Sequence, residues 1–309
     1  MPEARAGKPD VTAQDATLMK RAAYASLGIS VLLVVIKAFA YLLTSSVSVL
    51  ATLADSALDL FTSTLNLIAI HSALTPADDE HRFGHGKAEP LAGLAQGAFI
   101  IASAGFITIQ AIGRFIAPQP MEHGNTALVV MVISLIGAIA IVAYQRHVAA
   151  KTGSLAIGAD KVHYTGDVVT VGGVIVAIVL ATRFGLQLAD PIIALFVAAA
   201  LVWAAASVFR PAYDQLMDRE LADGDRARIE RIVRANPEVK GLHELRTRAA
   251  GLHTFIQLHI VMSPDTTLVR AHAVSDEIER RLCAEFPNAE VIIHADPWDD
   301  AEANAQTHH

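Results

Sequence analysis

Four side chains able to bind metal or protons interrupt otherwise apolar stretches: Asp55, Asp59, His163 and Asp167. A charged group at the centre of a bilayer costs about 2.5–3.5 kcal/mol on insertion scales, so such residues are functional candidates by default. Their spacing sharpens the point. Asp55 and Asp59 are four residues apart, as are His163 and Asp167, so on helices each pair projects from one face about a turn apart. Three carboxylates and an imidazole, with no thiolate among them, suit a tetrahedral Zn2+ or a similar divalent ion. The residues alone leave two other readings open. The acids can pair with bases to hold a bundle together, although the nearest base, Lys161, lies beside Asp160 towards the aqueous rim. Asp and His chains also serve as proton relays.

Two further sets of residues have metal-binding types. Asp78, His81 and His85 stand in a short polar connector, with two histidines four apart, but Gly84 and Gly86 make the backbone pliable and the signal is weak alone. Towards the C-terminus, His243, His259, His272, His294 and Asp296 fall on or beside expected strands and a helix start, where one sheet can bring them together. Solvated surface histidines are the plainer alternative. His253 sits at a hairpin turn and is expected to be exposed.

The elements that position these residues follow from hydropathy. Of 309 residues 53% are hydrophobic and 18% charged, against about a quarter charged in an ordinary soluble domain. Six stretches are long enough, at roughly 20 residues, to cross a hydrocarbon core: about 20–43, 47–72, 88–116, 124–147, 154–182 and 188–208. Span two runs inward, which puts Asp59 roughly 18 Å from its outer end, and span five runs outward, with Asp167 roughly 20 Å from its inner end, at about 1.5 Å per residue. The two pairs can meet near the midplane. Arg5, Lys8, Lys20, Arg21, Arg82, Lys87, Arg146 and Lys151 fall on one side of this arrangement, so both termini are expected in the cytoplasm. Lys37, near the outer end of span one, is expected to snorkel. Residues 1–19 form a polar tail without the pattern of a signal peptide.

After Phe209 the composition becomes that of a soluble domain. A charged helix over 223–236 with Ile229, Ile232 and Val233 on one face, strands at 242–249 and 253–262, a helix at 267–285 and a strand at 290–294 predict a small αββαβ, ferredoxin-like α+β domain over 209–297. Val269, Ala273, Ile278 and Leu282 are its expected core positions on the second helix. The residues from 298 onward read as a disordered tail. The net charge of −7 argues against nucleic acid as a partner, and the single Cys283 excludes an intramolecular disulfide. His243-Glu244-Leu245-Arg246-Thr247 lacks the second histidine of a zinc-protease motif. No nucleophile elbow or phosphate-binding glycine loop is present, so no enzyme and no organic cofactor are expected.

Taken together, Asp55-x-x-x-Asp59, His163-Tyr164-Thr165-Gly166-Asp167, the Asp78…His81…Phe83-Gly84-His85-Gly86-Lys87 loop and Val291-Ile292-Ile293-His294-Ala295-Asp296-Pro297 resemble the cation diffusion facilitators. The resemblance covers about residues 20–297. It implies a homodimer in the cell's inner membrane, embedded by six helices at 20–208, that exports divalent metal from the cytoplasm in exchange for protons. Zn2+ with Cd2+ is the expected cargo, with Fe2+ or Mn2+, or a membrane-anchored sensor that transports nothing, as alternatives. The resemblance implies a transport site of Asp55, Asp59, His163 and Asp167 and a loop site of Asp78, His81 and His85. It further implies a binuclear Zn2+ site of His243, His259, His272, His294 and Asp296, and an interlock between Lys87 and Asp218 that holds the protomers in register.

Overall fold

The computed structural model describes residues 13–44, 47–116, 125–184, 186 and 188–298. The expected polar tails, apart from residues 13–19 and Trp298, and the breaks at 45–46 and 117–124 lie outside them. The chain divides into two compact units between Tyr213 and Asp214.

The first unit holds six helices: α1 (Ala13–Thr44), α2 (Val47–Ala73), α3 (Ala88–Ile116), α4 (Asn125–Thr152), α5 (Leu155–Phe184) and α6 (Ala189–Leu216). Among the described residues, five of them are long and apolar enough to cross a membrane. The remaining one, α5, has 30 residues, and within it residues 162–179 carry a single charged side chain, Asp167. Both α1 and α6 run past the expected spans, α6 by eight residues, because the apolar stretch ends before the helix does.

The surface of this unit is as apolar as its interior. Leu32, Phe39, Ile109, Phe196 and Trp203 face outward, which suits hydrocarbon as the surrounding solvent. Some polar groups also sit inside, where pairing offsets the cost of their burial. Tyr164, 1% exposed, shares hydrogen bonds with Ser30 of α1 at 2.7 Å and Ser63 of α2 at 3.0 Å. Ser26 joins Ser63 at 3.1 Å. One residue after His163, this cluster therefore ties α5 to α1 and α2. Gln145 Nε2 donates to Asp160 and so links α4 to α5. Arg114 pairs with Asp190 between α3 and α6. Side-chain packing replaces hydrogen bonds elsewhere, since a Cβ on Gly166 would stand 2.7 Å from Leu201 Cδ2, and the Leu201 side chain of α6 would have to shift to admit it.

The second unit has the expected order: α7 (Asp223–Arg234), β1 (Gly241–Ala250), β2 (His253–Met262), α8 (Leu268–Glu285) and β3 (Ala289–Pro297). Its sheet runs β1-β2-β3, antiparallel between the first two strands and parallel between β2 and β3. Ile229, Val233, Ile256, Leu258, Ile260, Val274, Ile278 and Leu282 form one core between helices and sheet. The α8 face differs from expectation. Val269 is 81% exposed and Ala273 is exposed too, whereas Val274 is buried. The buried positions 274, 278 and 282 repeat every four residues, and one residue earlier lies about 100° around the helix.

Candidate metal centres

Asp59 of α2 and His163 and Asp167 of α5 converge inside the bundle, with one donor atom from each within 4.8 Å of the others. His163 Nε2 lies 3.2 Å from Asp59 Oδ1 and 3.9 Å from Asp167 Oδ2. Ligands of a tetrahedral zinc, each about 2.05 Å from the ion, stand about 3.3 Å apart. The first separation already fits, and the second closes with a small side-chain movement. Asp55, one turn earlier on α2, is exposed and its carboxylate lies outside this group. Three of the four expected residues are thus assembled. Lys37 does not snorkel. It is buried, its Nζ donates to Ser56 Oγ at 2.6 Å, and it interacts electrostatically with Asp59, Asp55 and Asp167. The pull of three carboxylates and a nearby hydroxyl outweighs the reach of its stem to the interface.

The connector between α2 and α3 also gathers its three residues. Asp78 Oδ1 is 3.4 Å from His81 Nδ1, Asp78 Oδ2 is 3.3 Å from His85 Nε2, and the two imidazole rings are 4.5 Å apart. Asp78 Oδ1 also accepts the backbone N–H groups of His81 at 2.6 Å and Glu80 at 3.0 Å. These donors, the His81 amide first, hold its carboxyl below the usual carboxylate range. An ionised Asp78 between two imidazoles is a ready cation ligand set.

In the second unit the sheet register does the assembling. His243 pairs with His259 across β1 and β2, and His259 pairs with His294 across β2 and β3, which places three imidazoles in a row on one face. Their rings stand 5.0 Å and 4.7 Å apart. Asp296, two residues after His294, projects from the same face. One of its oxygens is 2.9 Å from His259 Nδ1 and 3.4 Å from His243 Nε2, and the other is 3.0 Å from His294 Nε2. A carboxylate shared in this way is suited to bridging two ions. His272 stands apart on α8, exposed and 3.5 Å from Asp276.

Lys87 precedes α3, and Asp218, in the other unit, bonds Arg248 at 3.1 Å. Sequence reasoning passed over Glu89, a buried acid in the first turn of α3, and the buried Asp160. Burial inside the bundle is a tertiary property, and the signal each left was only an acid at the edge of an apolar span.

A six-helix apolar bundle with buried acids and a histidine at its centre, followed by a histidine-rich α+β domain, is the architecture of a membrane transporter of metal cations rather than an enzyme. Residues 23–217 match the cation efflux transmembrane domain, and residues 221–298 match the cytoplasmic domain of cation efflux proteins. The chain belongs to the cation efflux family. It is 43% identical over 280 residues to the cation-efflux pump FieF of Cronobacter sakazakii, covering 91% of this chain and 93% of that protein. The FieF proteins of Citrobacter koseri, at 43%, and Klebsiella pneumoniae, at 41%, match with the same coverage.

Proposed function

We propose that the protein exports Zn2+, and with it Cd2+, from the cytoplasm in exchange for protons, as a homodimer that alternates access across the inner membrane with both termini in the cytoplasm. The observation that carries this reading is the Asp59–His163–Asp167 group inside the bundle. Asp55, one turn along α2, is the fourth ligand, reached by a change of side-chain rotamer. Coordination requires neutral imidazole and ionised carboxylates, so protons and metal compete for the same atoms. Metal enters from the cytoplasmic side when the ligands are unprotonated, and protons arriving from the other side displace it. The imidazole of His163 favours Zn2+ and Cd2+ over harder ions such as Mn2+.

The loop residues Asp78, His81 and His85 hold a second ion. His243, His259, His294 and Asp296 hold the cytoplasmic pair, with His272 joining by dimerisation or rearrangement and Lys87 and Asp218 interlocking the protomers. Metal uptake into sealed vesicles with an imposed pH gradient tests the reading. Uptake of Zn2+ that collapses the gradient is expected. Zn2+ binding without uptake identifies a sensor, and uptake indifferent to pH removes the exchange.

A further inference from the structure

We propose that Glu89 is a positioning residue, whose carboxylate caps the helix carrying His163 and Asp167 and ties that helix to the loop of Asp78, His81 and His85. Glu89 is 1% exposed and spends both oxygens on a different helix from its own. Oε1 accepts from Ser154 Oγ at 2.7 Å, and Oε2 accepts from the backbone N–H of Leu155, the first residue of α5, at 3.1 Å. The first amides of a helix have no partner inside it. Ser154 Oγ accepts one of them, from Ile157, at 3.3 Å, and Glu89 takes another while placing a negative charge at the positive end of the helix dipole.

The connection into α5 has little slack. Helix α4 ends at Thr152, and only Gly153 and Ser154 separate it from α5, with Gly153 at φ +67°, a conformation costly for other residues. Glu89 therefore fixes where α5 starts relative to α3. His163 lies eight residues into α5, about 12 Å along its axis, and a stiff helix carries any shift of its start to both ligands.

The other end of this chain of contacts is the loop. The His85 carbonyl accepts the N–H of Ala88 at 2.9 Å, and the Gly86 carbonyl accepts that of Glu89 at 3.3 Å, so His85 and Gly86 form the cap of α3. The His85 ring meanwhile faces Asp78. An ion held by Asp78, His81 and His85 fixes the residues that cap α3, hence Glu89, hence the start of α5. A contiguous set of contacts of this kind transmits coupling only if both ends respond, which a mutant cycle measures.

The inference rests on the loop being a metal site and on the protein transporting Zn2+. The test is the initial rate of Zn2+ flux in proteoliposomes of the full chain, for wild type, Glu89→Ala, His85→Ala and the double variant. Glu89→Ala is expected to lower the rate at saturating Zn2+ by about fivefold or more, and Glu89→Gln, which keeps one acceptor oxygen, to fall between. His85→Ala is expected to slow the wild type and to add nothing in the Glu89→Ala background. A wild-type rate in Glu89→Ala overturns the positioning role, and equal effects of His85→Ala in both backgrounds overturn the link. If Glu89→Ala does not fold, Ser154→Ala removes only the hydroxyl and enters the same cycle, with a smaller effect of the same sign. Failures of the underlying readings look different: no flux in the wild type removes transport, and an unchanged Zn2+ stoichiometry in His85→Ala removes the loop site.

Discussion

Asp59→Asn keeps the shape of the side chain and one potential oxygen ligand but removes its charge, which makes it the cleanest perturbation of the intramembrane site. Asp59 Oδ1 stands 3.2 Å from His163 Nε2, so an ion bound to the imidazole sits against the carboxylate. At an effective dielectric constant near 20, a unit charge pair at that separation is worth about 5 kcal/mol before offsets. Relief of repulsion from Asp55 and Asp167, together with the oxygen the amide retains, subtracts from this. Removing one partner of a buried charged pair costs about 3–5 kcal/mol in measured cases. At about 1.4 kcal/mol per decade, the expected loss of Zn2+ affinity is about a hundredfold to a thousandfold. The assay is calorimetric Zn2+ titration of the full chain in detergent, in a background of Asp78→Ala and Asp296→Ala that silences the other two centres. One ion per chain is expected before the change, with affinity reduced by that factor after it. Equal affinity in the Asp59→Asn chain refutes the assignment of this site and the electrostatic argument behind it.

Three further outcomes follow from local geometry. Gly166→Ala drives a methyl group to within 2.7 Å of Leu201 Cδ2 and should cost about 1–3 kcal/mol as overpacking, seen as a lower Tm that Leu201→Ala partly restores; an unchanged Tm speaks against tight α5–α6 contact. Asp78, held below the usual carboxylate range by the amides of His81 and Glu80, keeps its charge above that range, and the stability it contributes is lost only as pH falls through its lowered pKa. Between pH 7 and 5, Asp78→Asn should therefore weaken Zn2+ binding at the loop by one constant factor, and a factor that shrinks across this window contradicts the point. Asp296→Ala removes the carboxylate shared by His243, His259 and His294 and should abolish the rise in Tm of the cytoplasmic domain on adding Zn2+, a rise equivalent to about 2.7 kcal/mol at a hundredfold excess over Kd.

Much of this was legible in the residues because the periodicities are strong. Asp59, His163 and Asp167 declared themselves by cost, since an acid or imidazole deep in an apolar span needs a reason. The row of His243, His259 and His294 was expected as a cluster, but its order depended on strand register, which composition does not encode. Asp296 reaches all three imidazoles because β3 continues to Pro297 instead of stopping at His294, a boundary that local propensity places poorly. Val269 and Ala273 were misplaced because an amphipathic helix with several apolar residues admits two faces a residue apart, and only packing on the sheet selects one. Lys37 and Glu89 were out of reach for a common reason. Their partners, Ser56 and the start of α5, lie on other helices, and the rules for snorkelling and dipole capping describe a residue within its own helix.

In the proposed mechanism, metal and protons compete for the ligands of one intramembrane site. Proton flux driven by a Zn2+ gradient, recorded in sealed proteoliposomes of wild type and Asp167→Ala, decides whether this competition occurs. Zn2+-dependent proton movement opposite to the metal is expected in the wild type and none in the variant. Flux retained by Asp167→Ala, or Zn2+ movement in the wild type with no counterflow of protons, contradicts it.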